Sequence, residues 1–267
     1  MRYDWKEGIG YPEFSREFYE EIDRRFFSNV WEFMPWQRVP FDTLIDFESL
    51  GNKDVLEVGV GNGSHAALLA RHAKTFMGID LTDYAVRSTT ARLKSFGLAG
   101  VVSQMDAEQM SLPDRSFDFV WTWGVIHHSS DTRRTLEEIA RVLRPGGKAV
   151  TMVYHRSGWN YYVVGGLIHG ILRGRLFNTG SLHKTVQLQT DGAIARYYSA
   201  SEWRALAEEF FHVESVRIFG SKAELLPLPG GKAKQILTRM FPARLGRFFT
   251  NTCGWGSFLV STLTVLS

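Results

Sequence analysis

The sequence has almost no cysteine: among its 267 residues, Cys253 is the only one. A lone thiol excludes a disulfide within the chain, which is usual for proteins of a reducing compartment. Long apolar runs are also missing, because the stretches 161–172 and 255–266 are interrupted by polar residues or glycine and fall short of the ~20 residues that span a bilayer. The first residues lack the apolar core of a signal peptide. We therefore expect a cytoplasmic protein without a membrane span.

A large excess of one charge is missing as well. The formal net charge is only +3, from 31 basic and 28 acidic residues, which on its own identifies no partner. The excess is concentrated between residues 220 and 254, where a single acidic residue accompanies six basic ones: Glu224 against Lys222, Lys232, Lys234, Arg239, Arg244 and Arg247. Such a stretch attracts phosphate, nucleic acid or an anionic membrane surface, and it is also typical of a solvated helix face.

The residues that are abundant indicate one folded α/β domain. Apolar residues make up 44% of the chain and aromatic residues 13%, enough for one sizeable core. Strands and helices alternate, which indicates a parallel sheet covered on both faces. We predict strands at 54–60, 75–80, 101–105, 117–123, 148–154, 212–219 and 257–265, with helices at 64–73, 82–96, 132–143 and 201–210. The expected fold is a Rossmann-like, doubly wound, mostly parallel seven-stranded sheet.

A helical cap is expected before this sheet. Phe14, Phe18, Ile22 and Phe26 recur at intervals of four residues, which predicts a helix with one apolar face. In contrast, residues 157–190 have no clear period and are rich in glycine and aromatic residues, as is typical of an irregular insertion with a role at a site. We predict a single domain over 1–267: a cap at 1–45, a core at 50–156, an insertion or lid at 157–198, and a C-terminal part at 199–267 carrying the basic insertion 220–254.

A glycine-rich turn, residues 59–63, follows the first predicted strand and begins the next helix. Glycines at such a turn let a ligand approach the backbone close to a helix N-terminus. The dinucleotide fingerprint G-x-G-x-x-G is not matched, because its third glycine would fall at Ser64. Glu57, just before the turn, favours a ligand with a cationic group over a pyrophosphate.

Asp80 ends the second predicted strand, about 20 residues after the turn, where an acid can accept hydrogen bonds from ribose hydroxyls. Its alternative role is to cap the next helix, but Thr82 is better placed for that. The turn and Asp80 together predict a ligand that contains a nucleoside.

Three later blocks complete a recognisable pattern. They are Asp106-Ala107-Glu108 with the following Leu112-Pro113 and Phe117–Val120, then Trp123–His128, then Arg141–Gly147. In order and spacing, the blocks and the turn resemble the class I S-adenosylmethionine-dependent methyltransferases, and most of all the ubiquinone/menaquinone-biosynthesis-type small-molecule methyltransferases. The resemblance covers about residues 50–156. It implies an enzyme that transfers a methyl group from S-adenosylmethionine and releases S-adenosylhomocysteine.

The resemblance also implies roles for individual residues in binding the cofactor. The methionine end would lie along Glu57, Gly59, Gly61 and Gly63. Asp80 would hold the ribose, and Leu81 would pack on the adenine. Asp106 and the backbone of Ala107 would bind the adenine edge, while Trp123 and Gly124 would flank the sulfonium.

Candidates for catalysis and acceptor binding follow from position. His127 and His128 come after the fourth strand, where a general base is expected if the acceptor must lose a proton; alternatively they only position the loop. Tyr154, His155 and Arg156 end the fifth strand, where ligands bind in doubly wound sheets, and Arg156 suits a carboxylate or phosphate. Aromatic residues of the cap and the insertion are candidates for an apolar wall: Trp5, Tyr11, Tyr19, Trp159, Tyr161 and Tyr162. No Cys/His cluster has metal-ligand spacing, so we expect no metal.

Several alternatives stay open at this point. The acceptor atom can be O, N or C, the oligomeric state is undetermined, and the acceptor is expected to be a small, apolar or aromatic molecule with an anionic group. The histidine pair followed by Thr132-Arg133-Arg134 is also similar to wobble-uridine tRNA methyltransferases, for which the basic stretch would bind phosphate. A non-catalytic cofactor-binding protein is a second alternative. A nicotinamide-dependent oxidoreductase is disfavoured by Ser64 and the Asp106 block.

Overall fold

One twisted sheet forms the centre of the protein. The computed structural model describes residues 6–188, 194–228 and 231–266. Among these residues the strand order is β3-β2-β1-β4-β5-β8-β7, and the two-residue β6 pairs alongside β5. The strands are β1 (Asp54–Val58), β2 (Thr75–Asp80), β3 (Val101–Gln104), β4 (Phe117–Trp123), β5 (Leu143–His155), β6 (Tyr197–Tyr198), β7 (Phe211–Phe219) and β8 (Phe258–Val265). Among the described strands, β8 alone runs in the opposite direction to the others, so the predicted mostly parallel α/β sheet is confirmed.

Helices cover both faces of this sheet. Consecutive residues of a strand point to opposite faces: Val55 packs into one hydrophobic cluster with α1 and α2, while Leu56 packs into another with α4 and α7. The α-helices are α1 (Arg16–Phe33), α2 (Ser64–Ala70), α3 (Asp83–Ser95), α4 (Thr132–Val142), α5 (Arg175–Thr179), α6 (Leu182–Gln187), α7 (Ala200–Ala207), α8 (Lys232–Met240) and α9 (Ala243–Arg247). Within the described ranges, no helix is both long and apolar enough to cross a membrane.

The helix that follows β2 begins as the sequence predicts. The Thr82 hydroxyl accepts a hydrogen bond from the Ala85 N–H, so Thr82 is the N-cap of α3. Gly97 follows the end of this helix with a φ of +65°, a conformation that glycine adopts without strain. Asp80 is therefore not the N-cap of this helix.

The insertion differs from the irregular segment that the sequence predicts. Its described part is largely helical, with a π-helix at Gly158–Leu172 followed by α5 and α6. Apolar residues and glycines occur on all sides of this π-helix, so the sequence shows no amphipathic period that would predict it. Gly165 lets it pack closely on α6, since a Cβ there would lie 2.6 Å from Val186 Cγ2. Residues 189–193 of the insertion lie outside the described part.

A buried arginine joins the cap to the domain. The Arg92 guanidinium of α3 donates to Asp23 Oδ1 of α1 at 2.8 Å, to the Tyr19 carbonyl at 3.1 Å and to Ser64 Oγ at 3.2 Å. Its side chain is fully buried. The Tyr19 hydroxyl donates to the Ser88 carbonyl at 2.6 Å. These bonds hold α1 against α3 and against the first residue of α2, directly after the glycine-rich turn.

Candidate active site

A cavity of about 640 Å³ lies at the carboxyl end of the parallel strands, where doubly wound sheets bind their ligands. Its walls come from every part of the chain. The residues lining it belong to α1, to the turn at 59–65, to the ends of β4 and β5, to the insertion, and to the segments 224–228, 234 and 257–258. The predicted cap, core, insertion and C-terminal part therefore all contribute to one space.

The glycine-rich turn is shaped by two different requirements. Gly59 has a φ of +83°, and a Cβ there would lie 2.2 Å from Val125 Cγ2, so the packing admits no side chain. Gly61 has a φ of +51°, and a Cβ there would meet nothing within 4 Å. Gly63 has a φ of +79° and is the N-cap of α2. The backbone at Gly61 is thus open to a ligand beside a helix N-terminus.

Asp80 ties the end of β2 to this turn. Its carboxylate accepts the Gly61 N–H at 3.1 Å, the Thr82 N–H at 3.0 Å and the Thr82 hydroxyl at 2.9 Å. Leu81 follows with 67% of its surface exposed, and Asp106 is exposed after the adjacent β3. These residues and the half-buried Ala107 form an open shelf beside the cavity rather than part of its lining.

Glu57 is the buried acid beneath the turn. Its side chain is 1% exposed, and its Oε2 has no hydrogen-bond partner. His65 Nδ1 lies 3.7 Å from Oε1, but burial lowers the pKa of His65 to about 3, so this neighbour is neutral. Burial, together with the negative charge of Asp80, raises the pKa of Glu57 well above its ordinary value. Glu57 itself is not among the residues that line the cavity. Its unpartnered oxygen has the chemistry to accept a hydrogen bond from the cationic amino group of S-adenosylmethionine, and the open backbone at Gly61 fits the methionine chain.

Replacing Glu57 with glutamine is expected to weaken the binding of S-adenosylhomocysteine by about 10- to 30-fold, because a charge-assisted hydrogen bond to the ligand's ammonium is lost. Titration calorimetry measures the change. The exposed Glu48→Gln is the matched control, with unchanged affinity expected. Equal affinities of the two variants would show that Glu57 does not hold the cofactor.

Trp123 ends β4 and Gly124 follows it, and both line the cavity; their place next to the sulfonium stays a prediction. The Trp123 ring stacks on Trp121 with 5.4 Å between ring centroids and packs edge-on against Phe41. Gly124 has a φ of +75°, and its N–H donates to the Met152 carbonyl. The end of β4 is therefore held rigidly at the junction between the turn and the rest of the cavity.

His127 and His128 lie close together, but neither lines the cavity in the part of the chain that the structure describes. His127 is fully buried, and both of its ring nitrogens lack a hydrogen-bond partner. Burial, followed by the neighbouring His128, lowers the pKa of His127 well below its ordinary value. His128 Nδ1 donates to the Ile194 carbonyl at 2.6 Å. Tyr154 packs on His127 with 3.9 Å between centroids. The two histidines stabilise the loop after β4 by packing and hydrogen bonding. Neither lines the cavity, so their catalytic role stays a prediction.

Of the four other residues predicted to touch the acceptor, two line the cavity and two do not. Tyr154 and His155 line the cavity, and His155 Nδ1 donates to the Gly256 carbonyl at 2.8 Å. Arg156 does not line the cavity and instead forms an ion pair with Glu202. This is a structural ion pair rather than a substrate contact. Tyr11 is exposed and away from the lining.

Of the aromatic residues predicted to wall the acceptor, Tyr161 alone among the described ones lines the cavity. Tyr19 bonds to α3, Trp159 stacks on Trp255, and Tyr162 is exposed. Trp5 lies outside the described residues. The cap still contributes apolar walls, through Phe26 and Phe33.

Glu224 is a cavity residue that the sequence analysis did not identify. Its Oε1 accepts the Ser221 N–H at 2.9 Å, and its Oε2 accepts Asn160 Nδ2 at 2.7 Å and the Ser257 N–H at 3.1 Å. Burial raises its pKa to about 7, although these three donors act in the opposite direction. In the sequence, Glu224 stands out only as the single acid of a basic stretch and as the glutamate of a capping box with Ser221. Both features indicate a local structural role and do not predict a cavity residue.

Comparison with known proteins identifies the central part of the chain. Residues 56–151 match the family model described as "Methyltransferase domain". The chain is 40% identical over 100 residues to the phthiotriol/phenolphthiotriol dimycocerosates methyltransferase of Mycobacterium tuberculosis, covering 37% of this chain and 36% of that one. It is 41% identical over 103 residues to a methyltransferase of Streptomyces halstedii, with 38% and 37% covered. The match thus spans little more than a third of the length of these curated relatives.

Solved structures extend the likeness to the whole fold. An S-adenosylmethionine-dependent methyltransferase from Aquifex aeolicus superposes with a TM-score of 0.55 at 16% identity, covering 91% of this chain and 97% of that one. A chain of the complex between the Haloferax volcanii Trm112 methyltransferase activator and a methyltransferase gives 0.59 at 20% identity, with 96% of both chains covered. At such identities the likeness concerns the fold. Residues 56–151 therefore match a methyltransferase domain, within a chain whose fold is that of solved S-adenosylmethionine-dependent methyltransferases.

Proposed function

We propose that this protein methylates a hydroxyl group on a small molecule with a bulky apolar body. The observation that carries the proposal is the cavity itself. It continues from Trp123 and Gly124 into a largely apolar space, and Glu224 is the one carboxylate in its described lining. Membership of the ubiquinone/menaquinone-biosynthesis-type subgroup stays a prediction from the motif blocks.

The residues around the turn and the shelf serve the cofactor. When bound, S-adenosylmethionine supplies a methyl group on a positively charged sulfur. Glu57 would bind its amino group and Asp80 its ribose, with Leu81 and Asp106 on either side of the adenine. Since the donor is already activated, the protein has to bind, align and keep water away from the reacting groups.

The walls beyond this region suit an apolar acceptor. Phe26, Val30 and Phe33 line the cavity from α1, and Val164 lines it from the insertion. Phe258 at the start of β8 and Leu226 add further apolar surface. Such walls bind an apolar molecule by removing its surface from water.

Glu224 favours an oxygen acceptor over an amine. A neutral amine can attack a methyl donor without first losing a proton, whereas a hydroxyl needs a base. A carboxylate whose pKa is raised to about 7 is well matched to accept a hydroxyl proton near neutral pH. Its hydrogen bonds to Ser221, Asn160 and Ser257 hold it in position at the cavity wall. This base supports O-methylation.

The relatives support a hydroxylated acceptor. The Mycobacterium tuberculosis relative is named for phthiotriol and phenolphthiotriol dimycocerosates, and its name denotes hydroxyl groups. Because the likeness covers only the methyltransferase domain, it supports the class of reaction more than the identity of the acceptor.

The proposal is tested by incubating the purified chain with S-adenosylmethionine labelled in its methyl group and a fractionated cell extract. We expect label in the organic-solvent fraction, in a product that resists mild alkali as a methyl ether does. Label in tRNA would instead favour the wobble-uridine alternative. Binding of S-adenosylhomocysteine without transfer to any fraction would favour the non-catalytic alternative.

A further inference from the structure

We propose that the surface around the outer end of the cavity binds the interface of an anionic lipid bilayer, from which the acceptor enters directly. The membrane-binding part of this inference stands on surface features alone. The entry of the acceptor rests on the function proposed above.

The first observation is the orientation of α8. Ile236, Leu237 and Met240 share one face of this helix, and all are exposed, Met240 at 74%. Lys234 and Thr238, one turn apart on the other side, are the half-buried residues. The helix therefore packs its polar side on the protein and presents its apolar side outward. This is the reverse of a surface helix in an ordinary soluble domain.

A second apolar surface lies across the cavity opening. Leu172 at the end of the π-helix is 72% exposed, and Phe177 of α5 is 80% exposed. Away from the glycine-rich turn, the opening can be located because three of the lining residues, Arg173, Pro227 and Leu228, are themselves exposed. Arg173 adjoins Leu172, while Leu228 precedes α8. We call the two surfaces together the apolar rim: Leu172, Phe177, Ile236, Leu237 and Met240.

The two segments that carry the apolar rim have charged residues of one sign. Residues 157–190 and 225–267 contain no aspartate or glutamate. Exposed basic residues flank the rim on both sides of the opening: Arg173, Arg175, Lys232, Arg239 and Arg244. Apolar side chains bordered by basic ones are the pattern of a helix that lies in the interface of an anionic membrane. A second copy of the chain would bring like charges together, and a nucleic acid would leave the apolar side chains unpaired.

The cavity is continuous with this rim. Lys234 on the inner side of α8 and His169 and Arg173 of the insertion line the same space as Glu224 and Tyr154. An acceptor dissolved in a bilayer would pass between the two apolar surfaces without exposing its apolar body to water. The rim would thus serve both attachment and entry.

The test measures binding to lipid vesicles by flotation. We expect the wild-type chain to bind vesicles containing about one quarter phosphatidylglycerol at least 10-fold more tightly than pure phosphatidylcholine vesicles, since basic residues near an anionic surface strengthen attachment to it. The double variant Leu237→Gln/Met240→Gln should lower this binding at least 10-fold, because two apolar side chains would no longer be removed from water at the bilayer interface. Lys232→Gln/Arg239→Gln should remove most of the preference for the anionic lipid.

Val101→Gln is the matched control, because Val101 is also exposed and apolar but begins β3, away from the rim. It should bind vesicles as the wild type does, and all variants should keep their affinity for S-adenosylhomocysteine. Equal, weak binding to both vesicle types would overturn the inference. So would a dimer in solution that Leu237→Gln/Met240→Gln dissociates, or binding to tRNA that Lys232→Gln/Arg239→Gln abolishes. In those cases methyl transfer to an acceptor presented in detergent still tests the proposed function separately.

Discussion

Replacing Glu224 with glutamine is expected to lower kcat for methyl transfer by about 10²- to 10⁴-fold, the usual contribution of a general base. Glutamine keeps the size of the side chain but cannot take up the hydroxyl proton. The measurement uses the labelled product that defines the activity, followed at saturating S-adenosylmethionine. Glu208→Gln is the matched control, because Glu208 is an exposed partner of Arg204 outside the cavity.

A loss of activity in Glu224→Gln must be distinguished from a folding defect. Glutamine places an amide among three hydrogen-bond donors, from Ser221, Asn160 and Ser257, so some loss of stability is expected. Unchanged affinity for S-adenosylhomocysteine would show that the cofactor half of the site is intact. If Glu224→Gln retains its rate while His127→Ala loses about 100-fold or more, the base belongs to the histidine pair after all.

The pH profile gives an independent result for Glu224. Its pKa is raised to about 7, and the base must be ionised to accept a proton. Therefore kcat/KM is expected to fall as the pH drops below about 7 and to level off above it, since this profile reports the free enzyme. Glu224→Gln should lack that step. A wild-type profile that stays flat from pH 5.5 to 8 would exclude Glu224 as the base.

Replacing Arg92 with methionine is expected to lower the free energy of unfolding by about 3 kcal/mol, at the lower end of the range for breaking a buried ion pair. The change leaves the Asp23 carboxylate without its partner, and the Tyr19 carbonyl and Ser64 hydroxyl lose the donor that they share. Asp23 keeps 25% of its side chain exposed, so water recovers part of the loss. Urea unfolding followed by tryptophan fluorescence measures the shift.

Arg87→Met provides the control on the same helix. Arg87 pairs with Asp83 on the surface, with both side chains about two-thirds exposed, and exposed pairs contribute little to stability. We expect an unfolding midpoint close to that of the wild type. Equal midpoints for Arg92→Met and Arg87→Met would mean that the cap does not depend on the buried arginine.

The parts of the protein that the sequence predicted are those determined by neighbouring residues. Alternating strands and helices, the turn at 59–63 and the Thr82 cap follow from backbone conformation and hydrogen bonds within a few residues. Asp80 meets Gly61 only 19 positions away, within one strand–helix–strand unit. The methyltransferase domain, with its fold and its cofactor, could therefore be predicted before any coordinates.

The acceptor end of the cavity depends on contacts between distant parts of the chain. Glu224 is held by Asn160 and Ser257, which are 64 and 33 positions away, and no local pattern predicts that these residues meet. The sequence predicted that Arg156 binds substrate, because its ion-pair partner Glu202 lies 46 positions away and no local pattern indicates the pair. The outward apolar face of α8 is visible only once its packing is known. The sequence by itself determined the strand–helix pattern and the motif blocks that predict the methyl donor, whereas the tertiary structure decided which side chains line the cavity, because long-range packing sets burial, pairing and pKa.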